Sequence, residues 1–338
     1  MSTGLIARWL VHLSDPLGPR TPPPHRSLTP AQMRTLVSQA EMHGVLGCVL
    51  SNCKSHFENP EFAPAWSDAR QRHRNAVGFS LMLQHHGEAV MGKMSVEGIP
   101  GIIVKGPVFA RKLYPDRRLR QFTDIDFLVE SAAVPQLGCL LAGQGFRLAA
   151  KSPVLDPQEW KWLHQDSPDL MIEVQCNLVH AASLRAASSI TYADLAPSGL
   201  AADAECPAAL LVIAAIHGGC GHQYERLLHV VDICQAARGV TTPDDERQLE
   251  ILVARTGARP AAVIGLDLAG RLLGEPRCFD LAKALGPVRY GRPARALMSR
   301  SVVTSTKAGT RWVHSWRRAA YREMLKRPRR ESRHKLSA

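Results

Sequence analysis

Apolar residues follow three regimes along the chain. From about residue 30 to 94 they recur at helical spacing. Between 102 and 175 they gather into short β-branched runs, and beyond 207 the helical spacing returns. In the first regime Thr29 is a helix cap with Pro30 at the first helical position, and Leu36, Val37, Ala40, Val45 and Leu46 supply an apolar stripe. Asn59-Pro60 and Pro64 interrupt before a longer helical pattern over Trp66 to Met94, marked by Val77, Leu81, Leu83 and Val90.

Gly98-Ile99-Pro100-Gly101 then turns the chain into a predicted strand, Ile102 to Val104. Lys105-Gly106 leads to a helical segment, Val108 to Leu113, which Tyr114-Pro115-Asp116 breaks. A second strand is predicted over Thr123 to Val129, and Ser131 caps a helix through Leu141 that Gly143 and Gly145 end. Phe146 to Ala149, Trp160 to His164 and Leu170 to Gln175 read as further strands, the last two joined by the polar turn 165–169. Helices follow over Ala208 to Ile216, Tyr224 to Arg238, Asp244 to Thr256 and Ala261 to Leu273. The pattern predicts an α+β (mixed α/β) fold: a compact sheet-bearing centre flanked by helical regions. The expected segments are 1–26 (proline-rich), 27–95 (helical), 96–200 (the α/β core), 201–310 (helical) and 311–338 (a basic helix and tail).

Composition sharpens this picture at a few points. An apolar fraction of 45% in 338 residues argues for a folded chain with a substantial core. No apolar run reaches the roughly 18 residues of a transmembrane helix. The first residues carry a short apolar patch with Arg8 and His12, but no basic start and no small-residue cleavage site, so a signal peptide is not expected. Eight cysteines without a CxxC or a zinc spacing read as free thiols of a cytoplasmic protein. Of the net charge of +12, eight units fall in residues 311–338, so the globular part is only mildly basic. There Trp312, Val313, Trp316, Ala320 and Met324 lie near one helical face, which predicts a final helix packed on the domain before a basic end. The other reading of this tail is contact with an acidic partner: anionic lipid, RNA or an acidic peptide.

The chemistry concentrates between Ile102 and Glu130. Asp124 and Asp126 sit two apart in a strand-like run, so both carboxylates point to one face while Ile125 and Phe127 point to the other. An isolated DxD is most simply a solvated strand face or a turn. Here the apolar context, the Lys-Gly turn and the upstream arginines Arg117, Arg118 and Arg120 favour a divalent cation held between the aspartates, with phosphates beside it. Glu173, embedded in Leu170 to Gln175, offers a third acid; its plainer reading is the exposed side of an edge strand. His217-Gly-Gly-Cys220-Gly-His222 has ligand types that suit zinc, but its spacing matches no common site, and its glycines read as a break between two core helices. Asp232, beside Leu228, Val231 and Ile233, reads as a buried ion-pair partner, and His85-His86 is assigned no chemistry.

The run of Lys105-Gly106-Pro107, Tyr114-Pro115-Asp116, Arg120 and Thr123-Asp124-Ile125-Asp126-Phe127 resembles an uncharacterised bacterial nucleotidyltransferase family of the polymerase-β superfamily. Softer likenesses at His43-Gly44-Val45, Gly98-Ile99-Pro100 and Arg226 to Ile233 extend the resemblance over roughly residues 30–240. It implies a small polymerase-β-like sheet with helices and an enzyme that binds a nucleoside triphosphate with Mg²⁺ or Mn²⁺. Asp124, Asp126 and Glu173 would hold the metal, and Lys105, Gly106, Arg120 and Thr123 would lie on the nucleotide and phosphate side. The implied reaction is metal-assisted in-line transfer of a nucleotidyl group to a small-molecule, glycan-precursor or peptide acceptor.

Two departures stand against that pattern. Lys105-Gly106-Pro107 replaces the superfamily's Gly-Ser signature, and proline has no amide hydrogen to donate. Ile172-Glu173-Val174-Gln175 stands where the family commonly has an Asp-Leu-His-Trp-like strand, so Gln175 replaces a histidine. The alternative expectation is therefore a catalytically degenerate fold that binds nucleotide or nucleic acid without turnover.

Overall fold

The computed structural model describes residues 2–53, 60–149, 158–196, 205–305 and 311–326. The expected interruption at Asn59, the boundary near residue 200 and the basic end after 326 lie outside these residues. In chain order, α1 (Ser2–Leu13), α2 (Pro30–Met42), α3 (Leu46–Asn52) and the long α4 (Ala63–Glu97) precede the sheet. The sheet region carries β1 (Gly101–Val104), α5 (Gly106–Lys112), β2 (Ile125–Val129), α6 (Val134–Gly143), β3 (Phe146–Leu148), β4 (Glu159–His164) and β5 (Met171–Gln175). Two short helices, α7 (Ala182–Arg185) and α8 (Tyr192–Leu195), lead to α9 (Pro207–Ile216), α10 (Leu227–Gly239), α11 (Pro243–Thr256), α12 (Arg259–Leu273) and α13 (Pro276–Ala284). Then come α14 (Gly291–Leu297), α15 (Arg300–Val303) and α16 (Arg311–Leu325).

The fold is α+β with one five-stranded mixed sheet, as expected. Its strand order is β1-β2-β5-β4-β3. β2 and β5 run parallel, and the other three pairs are antiparallel. The period-two pattern of β2 decides which residues face which layer. Ile125, Phe127 and Val129 join Ile172 and Val174 in an apolar cluster with Leu83, Val90 and Met94 of α4 and Leu137 and Leu141 of α6. Leu128, Ile102 and Val104 enter a second cluster that is continuous with α1, α2, α9, α10 and α12. The sheet thus divides two cores, and Asp124 and Asp126 share the face turned toward the C-terminal helices.

Local chemistry explains the boundaries. Thr29 caps α2 in a capping box with Gln32, whose side chain accepts from the Thr29 amide at 2.9 Å. Gly98 closes α4 with φ of +66°, a conformation that favours glycine. The expected cap at Ser131 is replaced by a 3-10 turn, Ser131–Ala133, after which α6 starts without a side-chain cap. A helix not foreseen is α1: the apolar patch at the N-terminus buries Ile6, Trp9, Leu10 and Leu13 in the larger core.

The last helix differs from its expected face. Trp316 is 53% exposed, while Met324 of the expected face packs against the core beside the buried Tyr321 and Leu325, the Tyr321 hydroxyl lying 3.4 Å from that of Tyr224; the side chains of Trp312 and Val313 lie outside the described residues. No helix among the described residues is long and apolar enough to cross a membrane.

Candidate active site

β2 and β5 bring the three predicted acids together. Register pairs Asp126 with Glu173 across the parallel strands, so two carboxylates from distant parts of the chain lie side by side on one sheet face. The edge-strand reading of Glu173 is overturned: β5 lies between β2 and β4, and Glu173 is buried. Asp124 sits one step before β2 on the same face. All three line a cleft of about 590 Å³ between the sheet and the α9–α10 region.

The acids are not left bare. Lys105 Nζ lies 2.7 Å from Asp126 Oδ1, with both side chains buried. Gln175 Nε2 donates to the same oxygen at 2.6 Å and to Glu173 Oε2 at 3.3 Å. Lys161, the cross-strand partner of Glu173 on β4, pairs with its Oε1, and also reaches Glu159 at 3.4 Å. Glu159 accepts from His180 as well (2.8 Å), and this bond with the histidine holds its carboxyl at about 2. Asp124 makes no hydrogen bond or ion pair among the described residues. Burial first, then the charges of Asp126 and Glu173, push its carboxyl up to about 7.

This donor set fits a hard divalent cation. With Asp124 ionised, four carboxylates (Asp124, Asp126, Glu159, Glu173) face two lysines. The crowding of carboxylates and the unpartnered Asp124 oxygens are what a cation of the Mg²⁺ type neutralises.

Lys105 owes its reach to the backbone. Its φ of +56° with ψ of −128° is a sparsely populated conformation, costing of order 1–3 kcal/mol, at the turn from β1 into α5. Gly106 follows at the start of α5, and Pro107 occupies the first turn, where its missing amide hydrogen would have no partner within the helix.

Arg120 occupies a different place from the expected one. It lines the cleft, but its guanidinium is buried in a two-pronged pair with Asp232 on α10 (2.9 Å for each contact) and donates to the Gly106 carbonyl at 3.2 Å. Tyr114 donates to Asp232 Oδ1 at 2.8 Å, so the Tyr-Pro break and the arginine are tied to one buried acid. Thr123 lines the cleft and is exposed. Arg226, just before α10, also lines the cleft; its side chain makes no ion pair among the described residues.

Several participants escaped the sequence reading. Lys161, Glu159 and His180 join the site through strand register and the loop after β5, which no local motif announces. In the sequence Gln175 stands out only as the replacement of a histidine. Its spacing of two from Glu173 was the signal that it shares the site face. His229 lies near His217 and His222 because α10 folds back on the π-helical turn His217–Gly221.

The sheet thus presents Asp126 and Glu173 on neighbouring parallel strands, with Asp124 just before the first of them, above a cleft also lined by Lys105, Lys161 and Arg226. The model of an uncharacterised nucleotidyltransferase family matches residues 29–274, and the chain belongs to that family. No curated protein and no solved structure shows a match.

Proposed function

We propose that the protein is a cytoplasmic, Mg²⁺-dependent enzyme that moves a nucleotidyl group from a nucleoside triphosphate to a small-molecule, glycan-precursor or peptide acceptor. The observation that carries this reading is the Asp124–Asp126–Glu173 cluster, three carboxylates converging on one cleft wall with Asp124 unpartnered. These three residues would hold the cation. When bound, it supplies charge neutralisation for the triphosphate and lowers the barrier to attack by the acceptor.

The chain's own groups do the rest. Gln175 fixes the rotamers of Asp126 and Glu173 by donating to both. Lys105 and Lys161 neutralise the acids while no cation is present, and each can transfer its ammonium to a phosphate oxygen once a cation takes its place. Arg226 presents an uncommitted fork for the triphosphate. Arg120, held by Asp232, to which Tyr114 also donates, positions the Gly106 turn rather than binding phosphate through its whole fork.

The test is pyrophosphate release from labelled nucleoside triphosphates with Mg²⁺. Asp124→Ala and Asp126→Ala should each abolish it; activity that survives in both variants would refute the catalytic reading.

The Lys105–Asp126 pair supports a second reading. An ammonium seated on a metal-ligating oxygen suits a degenerate member that binds nucleotide or nucleic acid without turnover. That reading expects nucleotide affinity with no pyrophosphate release at any cation concentration.

A further inference from the structure

We propose that His217, His222 and His229 form a binding site for a borderline-soft divalent cation of the zinc class, separate from the carboxylate cluster on the sheet. Each residue offers one ring nitrogen, and these atoms lie within 4.8 Å of one another. The ring centroids are 4.6–5.0 Å apart. His217 opens the π-helical turn, His222 follows it directly, and His229 comes from the first turns of α10. Gly218 permits this convergence, since a Cβ there would meet the His229 Cβ at 3.1 Å. Gly219 does the same for the hydroxyls of Tyr224 and Tyr321, each 3.0 Å from where its Cβ would stand. The glycines expected to break the helix thus build a tight turn that continues α9.

Two features point to a ligand rather than to a packed aromatic cluster. First, Nδ1 of His217 and Nδ1 of His229 are buried without a hydrogen-bond partner among the described residues, a cost of about 1–3 kcal/mol each that a core position would ordinarily avoid. Second, the Nδ1 of His222 lies 3.0 Å from Glu225 Oε1. That is the carboxylate–histidine pairing that orients a metal-bound imidazole and leaves Nε2 with the lone pair.

The donor type sets the class of ion. Three imidazole nitrogens suit zinc, cobalt or nickel and are poor ligands for Mg²⁺, which takes oxygen. A tetrahedral zinc site places its nitrogens about 3.3 Å apart, so closure requires rotation of the stacked His222–His229 pair. His222, 39% exposed at its side chain, has room to turn about its Glu225 contact. Three protein ligands leave a fourth position. All three histidines line the cleft, and Lys105 and Arg120 beside His217, with Arg226 beside His229, favour an anion such as a phosphate oxygen or hydroxide there. Glu225 and Asp232 offset part of that positive charge. None of this depends on the nucleotidyltransferase reading.

Titration of the chelator-stripped full chain with Co²⁺ tests the proposal. The expected result is a single equivalent giving the strong visible bands of a four-coordinate ion, displaced by Zn²⁺ and not by millimolar Mg²⁺. His222→Ala should abolish the bands, as should His229→Gln, and Glu225→Gln should weaken binding about 10–100-fold. Asp124→Asn should leave them intact. Circular dichroism of His222→Ala confirms folding, since that side chain is the least buried of the three. Absence of the bands in the wild type would overturn the site. So would binding unchanged in the histidine variants, which would assign the ion to cysteine thiols, or loss in Asp124→Asn, which would assign it to the carboxylates.

Discussion

Asp126 and Glu173 are register partners across the parallel β2–β5 pair, and the Gln175 amide donates to both. Glu173 therefore faces the cleft as firmly as the Asp-Ile-Asp pair does. Replacing Gln175 with Ala frees both carboxylates to rotate. The expected outcome is a turnover loss of roughly 10- to 100-fold, the scale of losing an outer-shell partner of a metal site. Cation affinity should fall with it, and a Gln175→Ala variant with wild-type turnover would argue that the amide is incidental.

Lys105 is the buried counter-charge of Asp126. Lys105→Met leaves that carboxylate uncompensated and should destabilise the metal-free protein by about 3–5 kcal/mol. Because a divalent cation replaces the missing ammonium, Mg²⁺ or Mn²⁺ should raise the melting temperature of the variant more than that of the wild type. Thermal melts with and without cation read both effects.

Asp124 gives the site its pH dependence. Its folded pKa, about 7, lies above the usual carboxylate value, so between about pH 4 and pH 7 the folded state holds a proton that the unfolded chain releases. This residue's contribution to stability is present below that window and is lost as pH rises through it. The buried histidines slope the other way, so the difference between wild type and Asp124→Asn isolates the term. Mn²⁺ affinity should climb with pH up to about 7 and flatten above it, and Asp124→Asn should remove that climb. A pH-independent affinity would contradict the assignment.

Tyr114, Arg120 and Asp232 fasten the loop before β2 to α10. Tyr114→Phe removes one hydrogen bond to a charged group and should cost about 1.5–3 kcal/mol in chemical denaturation while leaving nucleotide affinity intact. Asp232→Asn should cost more, since it strands the Arg120 guanidinium in the core.

Arg226 should behave in the opposite way. Its exposed side chain carries little stability, so Arg226→Ala should melt like the wild type and bind triphosphate more weakly by a factor of about 10 or more. Arg226→Lys should recover only part of that, because a point charge does not reproduce the fork.

Much of the sheet and half of the site were legible in the chain. The Asp-Ile-Asp alternation gave the site face and the core face of β2 correctly, because a strand's period of two survives any packing. Thr29-Pro30 gave the start of α2 for the same local reason. What a linear pattern does not carry is which distant strands become neighbours. Lys161 enters the site only because β4 pairs with β5, and the Arg120 guanidinium turns to α10 because Asp232, 112 residues later, accepts its hydrogen bonds. The histidine cluster hid for a related reason: its spacing fits no zinc motif, and the third ring arrives through a π-helical turn followed by a second helix. At the other end of the chain, helical spacing placed the residues of α16 on a wheel but not the side that docks, so Tyr321 rather than Trp316 is buried.

The role proposed for Asp124, Asp126 and Glu173 is to bind a divalent cation that carries a nucleotide into the cleft. Its most direct test is equilibrium binding of a fluorescent nucleoside triphosphate to the full chain, with and without Mn²⁺, compared between the wild type and the folded variants Asp124→Asn and Asp126→Asn. Cation-dependent binding in the wild type and its loss in both variants are the expected results. Nucleotide binding that needs no cation, or that both variants retain at wild-type affinity, would contradict it.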